Sequence, residues 1–283
     1  MIKELVSRFV PETVRSARRV RRESTELKKL STVSTTTESL LPYDALDIKK
    51  IFSNDTYSED WIEDEKRIAE QGFTGGSGGV NKGDRRAIYY LIRYFQPNRI
   101  LEVGTHIGAS TVHIATALQR NHELKKQEKP QLTTVDISDV NNEAAQPWLQ
   151  YGAKQSPRSS VTKMQVEDYV DFVTSSSLAY MADSSGKFDF IFLDGDHAAS
   201  TVYQEVPLAL QALSDDGVIL LHDYYPNSQP LWSNKVIHPG PFMACKRLQE
   251  EGARLKVVPL GQLPWPTKLG TNITSLALLL RSH

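Results

Sequence analysis

From residue 97 onward, short apolar runs and polar, helix-forming stretches take turns along the chain. Residues 99–104, 132–137, 161–166, 188–194 and 218–222 read as strands, and helices fill the gaps, beginning near Ala109, Glu143, Glu167 and Thr201. Such alternation predicts parallel strands joined by crossover helices, with ligand sites at the carboxyl ends of the strands. Two further apolar segments, 255–260 and 275–281, are separated by a Pro/Gly-rich connection and predict an antiparallel pair at the sheet edge. The expected fold class is α/β: a mostly parallel sheet with an antiparallel C-terminal edge strand and helices on both faces.

The first third of the chain has a different pattern. Residues 12–30 read as a basic surface helix containing Arg15, Arg18, Arg19, Arg21 and Arg22, and the Ser/Thr-rich residues 31–39 have no helical period and read as a linker. Residues 58–71 are helical in pattern. Residues 72–83 hold six glycines in twelve positions and cannot form a helix, so they serve either as a hinge or as a lid over a ligand site. Asp84 reads as the N-cap of a helix over 85–95, which Pro97 ends. Three parts follow: a basic extension and linker (1–40), a helical cap with the glycine-rich loop (41–96), and the alternating domain (97–283).

Composition narrows the class of partner. The 283 residues are 40% apolar and 24% charged, and 33 Lys+Arg against 34 Asp+Glu leave a net charge of -1, which gives the molecule no electrostatic footprint for nucleic acid. A small-molecule partner is expected. Cys245, the single cysteine, excludes an intrachain disulfide and a four-cysteine zinc site and favours a reducing, cytoplasmic setting. The longest apolar run, 276–280, is too short to cross a bilayer. Residues 1–10 are too broken for a signal-peptide core. Residues 1–30 carry nine Lys+Arg and four Glu, and this local excess leaves a peripheral membrane contact or an oligomer contact open.

The first chemical motif is Arg-Ile-Leu-Glu-Val-Gly-Thr-His-Ile-Gly-Ala-Ser-Thr-Val over residues 99–112. A buried strand carries Glu102, and Gly104 and Gly108 allow a sharp turn and close approach of a ligand to the next helix. The spacing is not the Gly-x-Gly-x-x-Gly of a pyrophosphate loop. Asp136, at the end of the second strand, is placed to accept the hydroxyls of a ribose, which indicates a nucleoside without saying which one. The 99–112 motif resembles motif I of the class I S-adenosylmethionine-dependent methyltransferases, whose sheet is Rossmann-like. The resemblance implies S-adenosylmethionine as cofactor, with Glu102, Gly104, Thr105, Gly108, Ser110 and Asp136 around it and Asp168, after the third strand, facing the adenine amino group.

The second motif pairs Phe-Asp-Phe-Ile-Phe-Leu-Asp-Gly-Asp-His over 188–197 with Gly-Val-Ile-Leu-Leu-His-Asp-Tyr-Tyr over 217–225. On neighbouring parallel strands these bring Asp194, Asp196 and His197 near His222 and Asp223, an oxygen-rich cluster suited to Mg²⁺ or Mn²⁺. With this cluster, residues 80–281 resemble the metal-dependent O-methyltransferases of the catechol and caffeoyl type and of the sugar type with an L-D-G-D-H pattern. The resemblance implies a divalent metal on Asp194, His222 and Asp223, and a base at His197 with Asp196 in reserve. His222 departs from the family, which has an Asp there.

The reaction so implied is transfer of a methyl group to a hydroxyl of a sugar, a glycosylated natural product or a polyphenol. Residues 224–241, with four prolines, Trp232 and His238, form a stiff substrate wall in this reading. Two other readings stay open: a non-catalytic nucleoside-binding scaffold, and a nicotinamide-dependent oxidoreductase that shares Asp136 and the fold.

Overall fold

A computed structural model describes residues 11–72, 79–125, 128–184 and 186–282. Residues 1–10 and the centre of the glycine-rich loop, 73–78, lie outside the described residues. Seven strands form one sheet in the order β3-β2-β1-β4-β5-β7-β6. They are β1 (Arg99–Val103), β2 (Gln131–Asp136), β3 (Val170–Thr174), β4 (Phe188–Leu193), β5 (Leu213–Leu221), β6 (Leu255–Pro259) and β7 (Ala277–Arg281). The first five are parallel; β7 runs antiparallel to both β5 and β6, which makes β6 the edge. The mostly parallel sheet with an antiparallel C-terminal strand expected from the alternation is the one observed.

The central strands are mostly apolar toward their carboxyl ends because both faces are covered there. Successive side chains point to opposite faces: Ile100, Phe190, Phe192, Val218 and Leu220 enter one core layer, while Leu101, Ile191, Leu193, Ile219 and Leu221 enter the other. The first layer is closed by α3 (Asp55–Ala69), α4 (Lys82–Phe95) and α5 (Ala109–Lys125), preceded by the short α2 (Ile48–Phe52). On the other face lie α7 (Ser177–Asp183), α8 (Ala199–Ala212) and α9 (Gly240–Glu250). The basic N-terminal helix, α1 (Glu12–Leu27), packs on α8 and α9. Its buried Glu23 accepts the Ala199 backbone N–H at 2.8 Å and so caps the start of α8, while Arg15, Arg18, Arg21 and Arg22 stay exposed. Residues 31–39 are neither helix nor strand, and the Tyr203 hydroxyl, donating to Ser31 O at 3.2 Å, ties them to the domain.

Four expectations are corrected. Residues 161–166 are not a strand: α6 (Pro157–Lys163) occupies that stretch, started by Ser156, whose hydroxyl accepts the Ser159 N–H, and by Pro157 in the first helical position. Val161 and Met164, three apart, bury one helical face. The third strand is instead β3, a half-exposed edge strand with a weaker apolar signal. No helix begins near Glu143, where a 3₁₀ turn at Pro147–Tyr151 stands, and the expected helix near Glu167 is a 3₁₀ turn, Glu167–Tyr169, feeding β3. Finally, Asn81 and not Asp84 caps α4, its side chain accepting the Asp84 N–H at 3.1 Å.

Candidate active site at the strand carboxyl ends

The turn after β1 is built around two glycines. Gly104 has φ +97°, and a Cβ there would lie 2.3 Å from the Asp194 carbonyl oxygen, so its absence lets the ends of β1 and β4 close together. Gly108, at φ +76°, similarly admits Pro157. Beneath the turn Glu102 is fully buried, and its Oε2 accepts the hydroxyls of Thr111 at 2.6 Å and Thr134 at 2.7 Å. Burial raises its pKa to about 7, with those hydroxyl contacts opposing the rise and Asp194 adding to it. Thr105 shares its hydroxyl hydrogen bond with Thr134 at 2.6 Å.

These interactions separate the expected cofactor contacts into two groups. Gly104 and Asp136 line a cavity of about 760 Å³. Glu102, Thr105, Gly108 and Ser110 do not; they hold the turn from behind. Asp168 is a correction: it sits before β3, at the opposite end of the sheet, exposed and 3.8 Å from Lys129. The residues that β3 does deliver to the cavity are Ser175, Ser176 and Ser177, which the misplaced third strand hid from the sequence reading. Asp136 is held by backbone N–H groups, with Oδ2 accepting from His106 and Oδ1 from Ser138, both at 2.9 Å. His106 also lines the cavity, and burial lowers its pKa.

The other end of the cavity is formed by Asp194, Asp196, His197, His222, Asp223 and His238. His222 follows β5 and both of its ring nitrogens face carboxylates, Nδ1 at 2.8 Å from Asp194 Oδ1 and Nε2 at 3.3 Å from Asp84 Oδ2. Burial disfavours its charge, but Asp194, Asp223 and Asp84 outweigh that and hold its pKa well above the ordinary value. Asp223, despite burial, is lowered by His222, His197, His238 and Lys268. His197 Nε2 is 3.4 Å and His238 Nε2 3.7 Å from Asp223 Oδ2. Burial lowers the pKa of His238.

The three residues expected to bind a metal are therefore together but do not fit one. Among the described residues no group of three or more His, Cys, Asp and Glu is disposed to hold an ion, and a ring with both nitrogens given to carboxylates has no lone pair for a cation. His222 itself stands as the positive centre. Asp196 caps the start of α8, accepting the Ala198 N–H at 3.0 Å and the Thr201 hydroxyl at 2.7 Å, which leaves His197 as the imidazole open to the cavity. Gly240, at the start of α9, is what allows the His197 loop to approach, since a Cβ there would lie 2.0 Å from the His197 carbonyl. Asp84 was legible in the sequence only as a cap because its partner His222 is 138 positions away.

Comparison with known proteins places this architecture. A family model described as a methyltransferase domain matches residues 101–224. A 128-residue stretch is 27% identical to O-methyltransferase hkm8 of Aspergillus hancockii, covering 45% of this chain and 43% of that protein, so the match spans less than half of the curated relative. A putative O-methyltransferase from Klebsiella pneumoniae superposes with a TM-score of 0.53 at 18% identity, over 83% of this chain and 94% of that one. An O-methyltransferase from Bacillus cereus in complex with SAH gives 0.51 at 16%, over 83% and 100%. No described helix is long and apolar enough to cross a membrane. Residues 101–224, from β1 to the His222–Asp223 pair after β5, thus match a methyltransferase domain model, and the chain has the Rossmann-like methyltransferase fold.

Proposed function

We propose that the chain moves a methyl group from S-adenosylmethionine to an acidic hydroxyl of a small molecule, with His197 as the proton acceptor and without a resident metal. The observation that carries this reading is that Asp136 and His197 line one cavity, together with His222 and Asp223. Its volume, about 760 Å³, lies in the range of small-molecule sites. Asp136 takes the ribose hydroxyls, its carboxylate fixed by the His106 and Ser138 N–H groups. Ser175 to Ser177 offer hydroxyls beside it. The cofactor, when bound, supplies an electrophilic methyl group on a sulfonium that leaves as a neutral thioether.

At the acceptor end, the oxygen–carbon bond forms as the carbon–sulfur bond breaks, and the hydroxyl proton passes to His197. Asp223, at 3.4 Å, orients that ring and stabilises its charged form. The buried His222, set between Asp194 and Asp84, places positive charge where the acceptor oxygen becomes anionic. A phenol is acidic enough for an imidazole base to accept its proton during transfer, whereas an aliphatic hydroxyl resembling water is a far weaker acid. A polyphenol is therefore favoured over a sugar.

The test is transfer of labelled methyl to catechol-type acceptors after thorough chelation. Turnover unchanged by chelation supports the reading. Loss on chelation with recovery in Mg²⁺ or Mn²⁺ would restore the metal assignment, and SAH binding without transfer to any acceptor would favour a scaffold.

A further inference from the structure

Beyond His222 and Asp223 the cavity has a neighbour of about 150 Å³, which shares Gly79, His222 and Asp223 with it and is further lined by Asp84, Arg85, Trp232, Lys268 and Ser275. Its cations are unusual. Arg85, on the first turn of α4, is 2% exposed, yet its guanidinium has no direct ion pair or hydrogen bond among the described residues; Glu65 acts on it only at longer range, and Nε is enclosed without a partner. Buried guanidinium groups are ordinarily paired, because an uncompensated buried charge is costly. Lys268 stands exposed and forms no direct ion pair among the described residues; its charge acts on Asp223 only at longer range, and its Nζ lies 4.8 Å from the centre of the Trp232 ring.

The carboxylates of the same pocket each have direct partners, although Asp84 Oδ1 is buried without a hydrogen bond. Asp84 Oδ2 accepts from Asn81 at 2.6 Å and faces His222, and Asp223 faces His222, His197 and His238 and accepts the Ser275 hydroxyl at 3.3 Å. Neither makes a direct ion pair with Arg85 or Lys268, and Lys268 reaches Asp223 only through longer-range attraction. The two cations are also held in place. The loop carrying Lys268 is clamped to α4 by the Trp265 indole N–H, which donates to Gly83 O at 2.9 Å, and Gly83 lacks the Cβ that would strike Pro266 O at 2.4 Å. A pocket with two cations that lack direct ion pairs and an aromatic wall, sharing His222 and Asp223 with the main cavity, is suited to an anion attached to the acceptor.

Resting on the proposed function, we propose that this pocket binds an anionic group of the methyl acceptor, a carboxylate held by Arg85 and Lys268, so that the substrate is a hydroxylated acid and not a neutral polyol or phenol. A planar carboxylate suits the guanidinium fork.

Isothermal titration of two matched pairs, 3,4-dihydroxybenzoate against catechol and glucuronate against glucose, tests this with and without saturating SAH. At least one acid should bind about 10- to 100-fold more tightly than its neutral partner, the usual worth of a charge-assisted contact. Arg85→Gln and Lys268→Gln should each reduce that preference by roughly 10-fold. Lys268 is on the surface, so its variant keeps the test intact if the buried Arg85→Gln chain fails to fold. Equal binding of acid and neutral partner in both pairs, or a preference unmoved by Lys268→Gln, would overturn the assignment. SAH affinity is read separately: its absence counts against the methyltransferase reading, while the acid preference is still measured on the cofactor-free protein.

Discussion

Glu102 links the sequence motif to the stability of the site, and Glu102→Gln isolates that link. The carboxyl is fully buried under the glycine turn, with a pKa raised from 4.5 to about 7 chiefly by burial. Between those values the native state holds more protons than the unfolded one, so stability falls as pH rises through this window. At about 1.4 kcal/mol per unit the side chain withholds about 3 kcal/mol above pH 8 relative to pH 4. Glutamine keeps an oxygen to accept the Thr111 and Thr134 hydroxyls but has no charge to lose, so the constant cost or gain of the exchange is independent of pH. The stability of Glu102→Gln minus that of the parent should therefore rise by about 3 kcal/mol between pH 4.5 and pH 8.5. Other titrating groups cancel in the difference. Urea unfolding of both proteins at five pH values measures it, and SAH affinity at pH 7.5 should stay within about threefold because Glu102 does not line the cavity. A stability difference that is flat with pH would show that Glu102 is ionised in the fold, and a large loss of SAH affinity would return it to the cofactor contacts.

Gly104→Ala should cost at least about 2 kcal/mol and abolish SAH binding, since the added Cβ meets the Asp194 backbone at a φ that alanine avoids; an alanine variant as stable as the parent would contradict the close approach. His197→Ala should lower kcat about 10²- to 10⁴-fold with SAH affinity preserved. Single-turnover rates across pH check this, and an acid limb that survives the substitution would exclude His197 as the base.

What could be read from the sequence follows the strength of the local signal. The strands β1, β4 and β5 end in apolar stretches, buried over Phe190–Leu193 and Val218–Leu221, that lead into Gly104, Asp194 and His222, and those ends locate the cavity from the sequence. The third strand failed because β3 is an edge strand whose Asp171 and Thr174 are exposed, while the segment around α6 presents buried Val161 and Val166 with a β-like composition. Asp168 was misplaced by that single error, and Ser175 to Ser177 were lost with it. His222 was legible as a departure from the family pattern, but its meaning was not. Only the long-range approach of Asp84 shows that the ring is surrounded by carboxylates on both sides. Arg85 gave no signal at all, because a lack of direct partners is a property of the packed molecule.

The central claim is that Asp136 and the cavity it lines form the nucleoside end of a methyltransferase site. Calorimetric titration of SAH into the parent and Asp136→Ala chains tests it most directly. Charge-assisted hydrogen bonds to the ribose are lost in the variant while the Asp136 contacts to His106 and Ser138 concern only the local turn. The expected result is saturable one-to-one binding by the parent, roughly 10- to 100-fold weaker binding by Asp136→Ala, and no binding of NAD by either. Failure of the parent to bind SAH, or equal affinity in the two chains, would contradict it.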